Sequence, residues 1–218
     1  MNLEEKYFDY TVEPGKFLKE NLSIPDGKPL ISIITAYYNC KEYIMQTANS
    51  VLNQTFPHWE WVIVNDGSTE EGTEELLKEL TKKDKRIKVY HQKNQGRLVA
   101  RDEAIARTSA DIIYMLDSDD VLDPTLLECG YWTLRTNPTA SWAYCNCVNF
   151  DKMEFLYRPE FNSEQEKKEN LVIGSSFIVK KDLLEVGGYN VVDQDVHEDW
   201  HLWLRMLEKG KFPVKMNM

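Results

Sequence analysis

"DIIYMLDSDDVLDPTLL", residues 111–127, begins apolar and turns abruptly acidic. The run "DIIYMLD" over 111–117 has the β-branched and aromatic content of a buried strand. Asp117, Asp119 and Asp120 then fall within four positions. Like charges this close repel. A solvated loop would leave them facing water; a bound cation would give them a common purpose. Asp123 and Pro124 follow as an N-cap and a first helical residue, predicting a helix through about Arg135. The stretch therefore reads strand, acidic corner, helix.

The same alternation runs outward in both directions. "LISIITAYY" (30–38), "WEWVIVN" (59–65) and "RIKVYHQ" (86–92) read as strands. Asn39 and Glu42 have capping-box spacing ahead of a helix carrying Ile44, Ala48, Val51 and Leu52. "TEELLKELTKK" (73–83) places acids first and lysines last, matching a helix dipole, and "RLVARDEAIART" (97–108) is a further helix. Beyond the acidic corner, "ASWAYCNCVNF" (140–150) reads as a fifth strand, 151–170 as a charge-rich mobile loop, and "GSSFIVKK" (174–181) as another strand. Asp182 and Glu185 bracket a short helix ended by Gly187-Gly188. "EDWHLWLRMLEKG" (198–210) closes the series, with Trp200, Trp203, Leu204 and Leu207 expected on its inner side. Such alternation predicts an α/β fold, a three-layer α/β/α sandwich around a mostly parallel central sheet. Ligands of such sheets bind at the carboxyl ends of the strands. That rim gathers Tyr38-Asn39, Asp66-Gly67 and Asp117-Ser118-Asp119.

Bulk properties narrow the function classes. The 218 residues fit one large domain or two small ones, and 42% hydrophobic with 28% charged residues supports a packed core. A net charge of -10 argues against nucleic acid as a partner, since phosphate neutralisation needs a basic surface. Cys40, Cys129, Cys145 and Cys147 form no C-x-x-C pair and read as packing residues of a reducing cytoplasm. "MNLEEKYFDY" lacks the apolar core of a signal peptide, and no apolar run approaches a membrane span of about 20 residues. Peripheral attachment to the cytoplasmic membrane face stays open, as does the oligomeric state. Residues 1–28 read as an N-terminal extension.

Three constellations carry chemistry. Counted from Asp117, a calcium loop would need an acid or amide at its fifth position and glycine at its sixth. Val121 and Leu122 stand there, so that loop does not close. The remaining metal reading is Asp117 and Asp119 holding Mg²⁺ or Mn²⁺ beside a substrate diphosphate. Solvated acids and a helix cap are the plain alternative. At the other strand ends, Asp66 can accept from a nucleobase N–H and Tyr38 can stack, or they are a turn residue and a core ring. Glu198 and Asp199 open a helix whose dipole favours carboxylates; either can serve as a general base. His197 and His201 complete a literal H-E-x-x-H, but a zinc protease would leave the strand-end acids unexplained.

In this order the pieces resemble the family 2 glycosyltransferases, whose GT-A fold binds nucleotide-diphospho-sugars. The resemblance rests on "ISIITAYYNCKEYIMQTANSVLNQTF", "WEWVIVNDGSTE", "NQGRLVARDEAI", "DIIYMLDSDDVLDPTLL", "VGGYN" and "EDWHLWLRMLEKG", from about residue 30 to 210. It implies that Ala36 and Tyr38 hold base and ribose, that Asp66 reads the base, and that Arg101 contacts the nucleotide. It makes Asp117 and Ser118 part of the nucleotide site and Asp117 and Asp119 the D-x-D pair, with Asp119 the direct ligand of Mn²⁺ or Mg²⁺. Asp199 becomes the catalytic base and Glu198 its neighbour on the acceptor side. The partners implied are a nucleotide-sugar donor, with UDP the family's most frequent nucleotide, and a saccharide or other hydroxyl acceptor. The sequence departs from the family pattern at Ala36 (often proline), Asn65 (often an acid) and Asp102 (often asparagine). Members usually continue beyond the point matching Met218, so residues 29–218 are expected to be a catalytic domain cut at its C-terminal end. Two rivals remain. A nucleotidyltransferase would need a Gly-rich basic loop after strand one, where "YYNCKEY" stands. A non-catalytic sugar-nucleotide binding module would keep the pocket without turnover.

Overall fold

The structure, a computed structural model, describes residues 28–150, 154–189, 197–216 and 218. Residues 1–27 of the expected N-terminal extension and Asn190 of "VGGYN" lie outside the described residues. The chain order is β1 (Ile31–Tyr37), α1 (Ile44–Leu52), β2 (Trp59–Asp66), α2 (Thr73–Lys83), β3 (Ile87–Gln92), α3 (Arg97–Ala106), β4 (Ile112–Met115), α4 (Leu126–Thr136), β5 (Ala140–Tyr144), β6 (Cys147–Asn149), β7 (Phe155–Tyr157), α5 (Ser163–Glu166), β8 (Phe177–Val179), α6 (Lys180–Glu185), α7 (Glu198–Glu208) and β9 (Phe212–Lys215). No helix among the described residues is long and apolar enough to cross a membrane.

The main sheet has the order β3-β2-β1-β4-β8-β5-β9. β2 is buried along its whole length, as a strand covered on both faces must be. Its side chains alternate between two cores. Trp59, Trp61 and Ile63 join Ile31 and Ile33 on one face, under Val51 of α1, Leu77 of α2 and Leu127 of α4. Val62 and Val64 join Ile34 on the other, under Ala104 of α3, Leu183 of α6 and Trp203 of α7. Two cores flanking one sheet make the expected three-layer sandwich.

The exceptions to parallel pairing and to the expected boundaries have local causes. β8 runs antiparallel to both β4 and β5. The expected fifth strand breaks after Tyr144, and its second part pairs with β7 as a separate hairpin, so the expected mobile loop holds a strand and a short helix instead. Asn39 does not cap α1. It sits at φ 47, and its side-chain oxygen accepts from the Thr69 and Glu70 amides, tying the loop after β1 to the loop after β2. Asp123 does not cap α4 directly; it accepts from the amide and hydroxyl of Thr125, the residue in the cap position. α6 starts at Lys180, ahead of Asp182, which pairs with Lys211. The buried side of α7 is Leu202, Trp203 and Met206; Trp200, Leu204 and Leu207 flank it, half-buried. Trp203 stacks on Trp142 at 4.9 Å.

The contact of α4 with β8 depends on a missing side chain. A Cβ on Gly130 would stand 2.3 Å from the ring of Phe177, itself fully buried against Tyr114. Gly130→Ala should destabilise the protein by about 1–3 kcal/mol through overpacking, despite alanine's better helix propensity. A urea midpoint equal to or above wild type would contradict this packing.

Candidate active site

The parallel strands end on one rim, and two neighbouring hollows open there. The smaller, about 430 Å³, is lined by Ala36, Tyr37, Tyr38, Asp66, Asn94 and Arg97 with Gly96. Asp66 is buried at the end of β2. Its Oδ1 accepts from Gln92 Nε2 (2.7 Å) and the Gln95 amide (2.9 Å), and its Oδ2 from the Gly96 amide (2.9 Å). It thus fixes the loop that delivers α3. The loops after β2 and β3 meet at Gly67 (φ +69), where a Cβ would lie 2.6 Å from the Asn94 nitrogen. Only glycine allows both that backbone angle and that approach. Tyr37 is buried, whereas Tyr38 is 47% exposed at the mouth.

The larger hollow, about 1040 Å³, is bounded by Arg97, Arg101, Asp117, Asp120, Glu198 and Asp199 on one side and by the β6–β7 hairpin on the other. Arg97 borders both hollows. The acidic corner is anchored from behind. Thr35 Oγ1 donates to the Leu116 carbonyl (2.8 Å) and Thr47 Oγ1 to that of Ser118 (3.0 Å). These bonds leave Ser118 buried and its neighbours Asp117 and Asp119 exposed. Asp120 turns inward and accepts from Ser175 Oγ at 3.1 Å. Burial, then the adjacent Asp117 charge, pushes its carboxyl up to about 6.

Arg101 joins the corner to α7. One guanidinium nitrogen lies 2.7 Å from Asp117 Oδ1 and the other 3.0 Å from Glu198 Oε1, with the side chain only 9% exposed. Its plane centre lies 5.2 Å from the centre of the Tyr189 ring. Burial alone would lower its pKa; Tyr189, Asp117 and Glu198 more than reverse this, and the net shift is upward. Arg97 reaches the other oxygen of Glu198 at 2.7 Å. Behind Arg101, Asp102 Oδ1 accepts from the Tyr189 amide at 2.9 Å. Asp199 is differently held: its Oδ1 accepts from Asn170 Nδ2 (3.0 Å) and the Trp200 amide (2.8 Å).

Of the residues singled out from sequence, Ala36, Tyr38 and Asp66 line the smaller hollow, and Arg101, Asp117, Glu198 and Asp199 the larger. Ser118 and Asp119 border neither; Ser118 lies beneath the corner and Asp119 stands exposed on its outer side. Among the described residues no three His, Cys, Asp or Glu side chains form a metal group, so H-E-x-x-H has no third ligand. Cys145 and Cys147 line the larger hollow as free thiols, and burial pushes Cys145 up to about 11. Sequence reasoning noted Asp120 in the acidic corner without giving it a role, and passed over Arg97 and Asn170, which carried no signal.

The sequence model of the family described as Glycosyl transferase family 2 matches residues 32–198. A putative teichuronic acid biosynthesis glycosyltransferase, TuaG of Bacillus subtilis (strain 168), is 34% identical over 195 residues, covering 87% of this chain and 77% of its own. A chondroitin synthase of Pasteurella multocida (strain Pm70) is 29% identical over 190 residues, 84% of this chain and 19% of that one. Among solved structures, S. aureus TarS 1-349 superposes with a TM-score of 0.63 at 20% identity, over 80% of this chain and 54% of its own. The mannosyltransferase PcManGT from Pyrobaculum calidifontis, in complex with GDP-Man and Mn²⁺, gives 0.67 at 18% identity, over 88% and 55%. The chain thus spans about half the length of these two solved structures.

Proposed function

The chain belongs to glycosyltransferase family 2, and from that membership we propose that it transfers a sugar, with inversion, from a nucleotide-diphospho-sugar to an acceptor hydroxyl. The observation that carries the reading is one rim holding a polar pocket around Asp66 and, across Arg97, a larger cleft with Asp117 and Asp199 on its walls. The smaller hollow takes the nucleoside, with Tyr38 against the base or ribose and Asp66 at the base edge. Asp66 has both oxygens already bonded; a carboxylate's remaining lone pair still accepts one base N–H.

The acidic corner fits a divalent ion of the Mn²⁺ or Mg²⁺ type. Asp119 is exposed, and Asp117 is exposed with Arg101 on one oxygen only. Asp117 and Asp119 would hold such a hard cation, while Asp120 beside them is turned inward onto Ser175. Held by Asp117 and Asp119, such an ion would supply positive charge for a diphosphate in an acidic cleft. In the transfer, Asp199 takes the proton of the acceptor hydroxyl as its oxygen attacks the anomeric carbon. The bond from that carbon to the diphosphate oxygen breaks in the same displacement, and no covalent intermediate forms. Glu198 holds Arg97 and Arg101 in place beside the cleft. The donor nucleotide is UDP in this reading, as in the S. aureus TarS structures solved with UDP and with UDP-GlcNAc. The acceptor is a growing saccharide in this reading, in keeping with the teichuronic acid and chondroitin relatives.

Calorimetry tests the nucleotide and the ion together. UDP should bind at least tenfold more tightly with Mn²⁺ than with EDTA, and Asp119→Ala should remove the difference. Equal affinities in the wild type would overturn the metal assignment. Tighter binding of GDP than UDP would overturn the base.

A further inference from the structure

Among the described residues, one residue outside its own helix, Asn170, holds Asp199 by a hydrogen bond. Both hydrogen bonds to its carboxylate end on Oδ1, one from the Trp200 amide of α7 and one from Asn170 Nδ2, which is 29 residues away. The Trp200 bond moves with the helix. The Asn170 bond ties the carboxylate to the segment between α5 and β8, and among the described residues no hydrogen bond reaches Oδ2.

The segment bearing Asn170 is itself fastened to that helix. Trp200 Nε1 donates to the Glu166 carbonyl (2.5 Å) and Trp203 Nε1 to the Val172 carbonyl (2.8 Å), while Tyr157 donates its hydroxyl proton to the Leu171 carbonyl (2.8 Å). Two indoles of α7 and a tyrosine of β7 therefore fix the backbone on both sides of Asn170. Among the described residues its own Oδ1 is buried without a partner, which costs free energy. The amide is thus not placed for its own satisfaction; its one bond in the site goes to Asp199.

We infer that Asn170 is a positioning residue for the general base, fixing which oxygen of Asp199 faces the acceptor, with the buried Glu166 carboxyl behind it as the group that limits this arrangement at high pH. The inference rests on the proposed role of Asp199. Glu166 is fully buried; among the described residues its Oε2 accepts from the Leu171 amide at 3.3 Å and its Oε1 has no partner. Burial is the main cause that pushes it up to about 7, with Asp199 and Glu169 adding to it. Below that pH Glu166 is neutral; above it, a second anion forms next to Asp199. Tyr157 and Tyr189, both shifted upward by burial, also feel the Asp199 charge; Glu198 is paired with Arg97 and Arg101, and His197, Asp117 and Asp120 line the same hollow.

The test follows release of nucleoside diphosphate from UDP-N-acetylglucosamine and GDP-mannose with Mn²⁺, water serving as acceptor. Asn170→Ala should lower kcat by roughly 10- to 100-fold, the scale of a displaced catalytic group, with KM for the sugar nucleotide and Kd for UDP unchanged. It should slow Asp199→Asn no further. Glu166→Gln should keep its rate between pH 7 and 9, where the wild type declines. Asn170→Ala at the wild-type rate beside an inactive Asp199→Asn would overturn the positioning role alone. Full turnover by Asp199→Asn would overturn the base assignment beneath it. Loss of UDP affinity in Asn170→Ala would reduce the residue to a structural one. A readout independent of turnover is the side-chain amide resonance of Asn170, assigned by its loss in Asn170→Ala. It should titrate with an inflection near pH 7 that Glu166→Gln abolishes, and a flat titration would remove Glu166 from the arrangement.

Discussion

Asp199→Asn should reduce glycosyl transfer by about 10² to 10⁴, the usual contribution of a general base. An alcohol is a poor nucleophile until its proton leaves during attack. A carboxamide keeps the shape of the side chain, and its oxygen can still accept from Asn170 and the Trp200 amide, as Asp199 Oδ1 does. Only the basic oxygen facing the cleft is lost. The nucleotide pocket lies beyond Arg97, so UDP affinity in the presence of Mn²⁺ should stay within twofold of wild type. Single-turnover rates with the true acceptor, set beside calorimetric affinities, separate these effects. A variant that keeps near wild-type rates would move the base elsewhere. Glu198→Gln is the informative contrast. Glu198 is engaged by two arginines, so its neutralisation should act through Arg97 and Arg101 and chiefly raise the acceptor KM.

Arg101→Ala should lower the stability of the protein by about 2–4 kcal/mol. Breaking a buried ion pair by removing one partner costs about 3–5 kcal/mol, because the remaining charge is stranded. Part of this is relieved on the Asp117 side, whose side chain is 53% exposed and regains water. Glu198, at 13%, regains little and keeps only Arg97. The loss is a large share of the roughly 5–15 kcal/mol of a typical domain, and a urea transition will show it. The variant should also bind UDP more weakly in EDTA, since the cleft loses a cation while keeping its carboxylates. Arg101→Lys should restore little. A single ammonium cannot span Asp117 and Glu198 as the two guanidinium nitrogens do. Wild-type stability in Arg101→Lys would show that charge alone suffices.

The parts of the fold that could be read directly are those whose burial is uniform. β1 and β2 were expected at 30–38 and 59–65 and are found at Ile31–Tyr37 and Trp59–Asp66. A strand covered on both faces writes itself as an unbroken apolar run, and α2 falls on its dipole-matched charges. The direction of β8 left no such trace, because "FIV" is equally good running either way. The hairpin of β6 and β7 was hidden because its residues are largely exposed, so its strands do not alternate in hydropathy. Asn39 met the requirements of a cap but found stronger partners in the Thr69 and Glu70 amides, which are 30 and 31 residues away. The same limit applies to the site. Carboxylates stood out because acids at strand ends are conspicuous. Arg97 and Asn170 act through partners 101 and 29 residues away, and no local pattern records such a pairing.

The placement of β8 between β4 and β5 also orders the assembly of the chain in time. β1 to β4 acquire all their mutual partners by residue 115, from parallel crossovers that are complete as each helix follows its strand. β5 is synthesised next but pairs with none of them; it joins the sheet through β8, whose residues 177–179 come more than thirty positions later. On a ribosome adding about 5–20 residues per second, the free edge of β4 and the facing edge of β5 therefore wait a few seconds for β8, and the far edge of β5 waits longer, for β9. An unpaired strand edge is a template for pairing with other chains. The nascent protein is thus most prone to self-association in that interval, before the half of the molecule that carries Asp199 has docked.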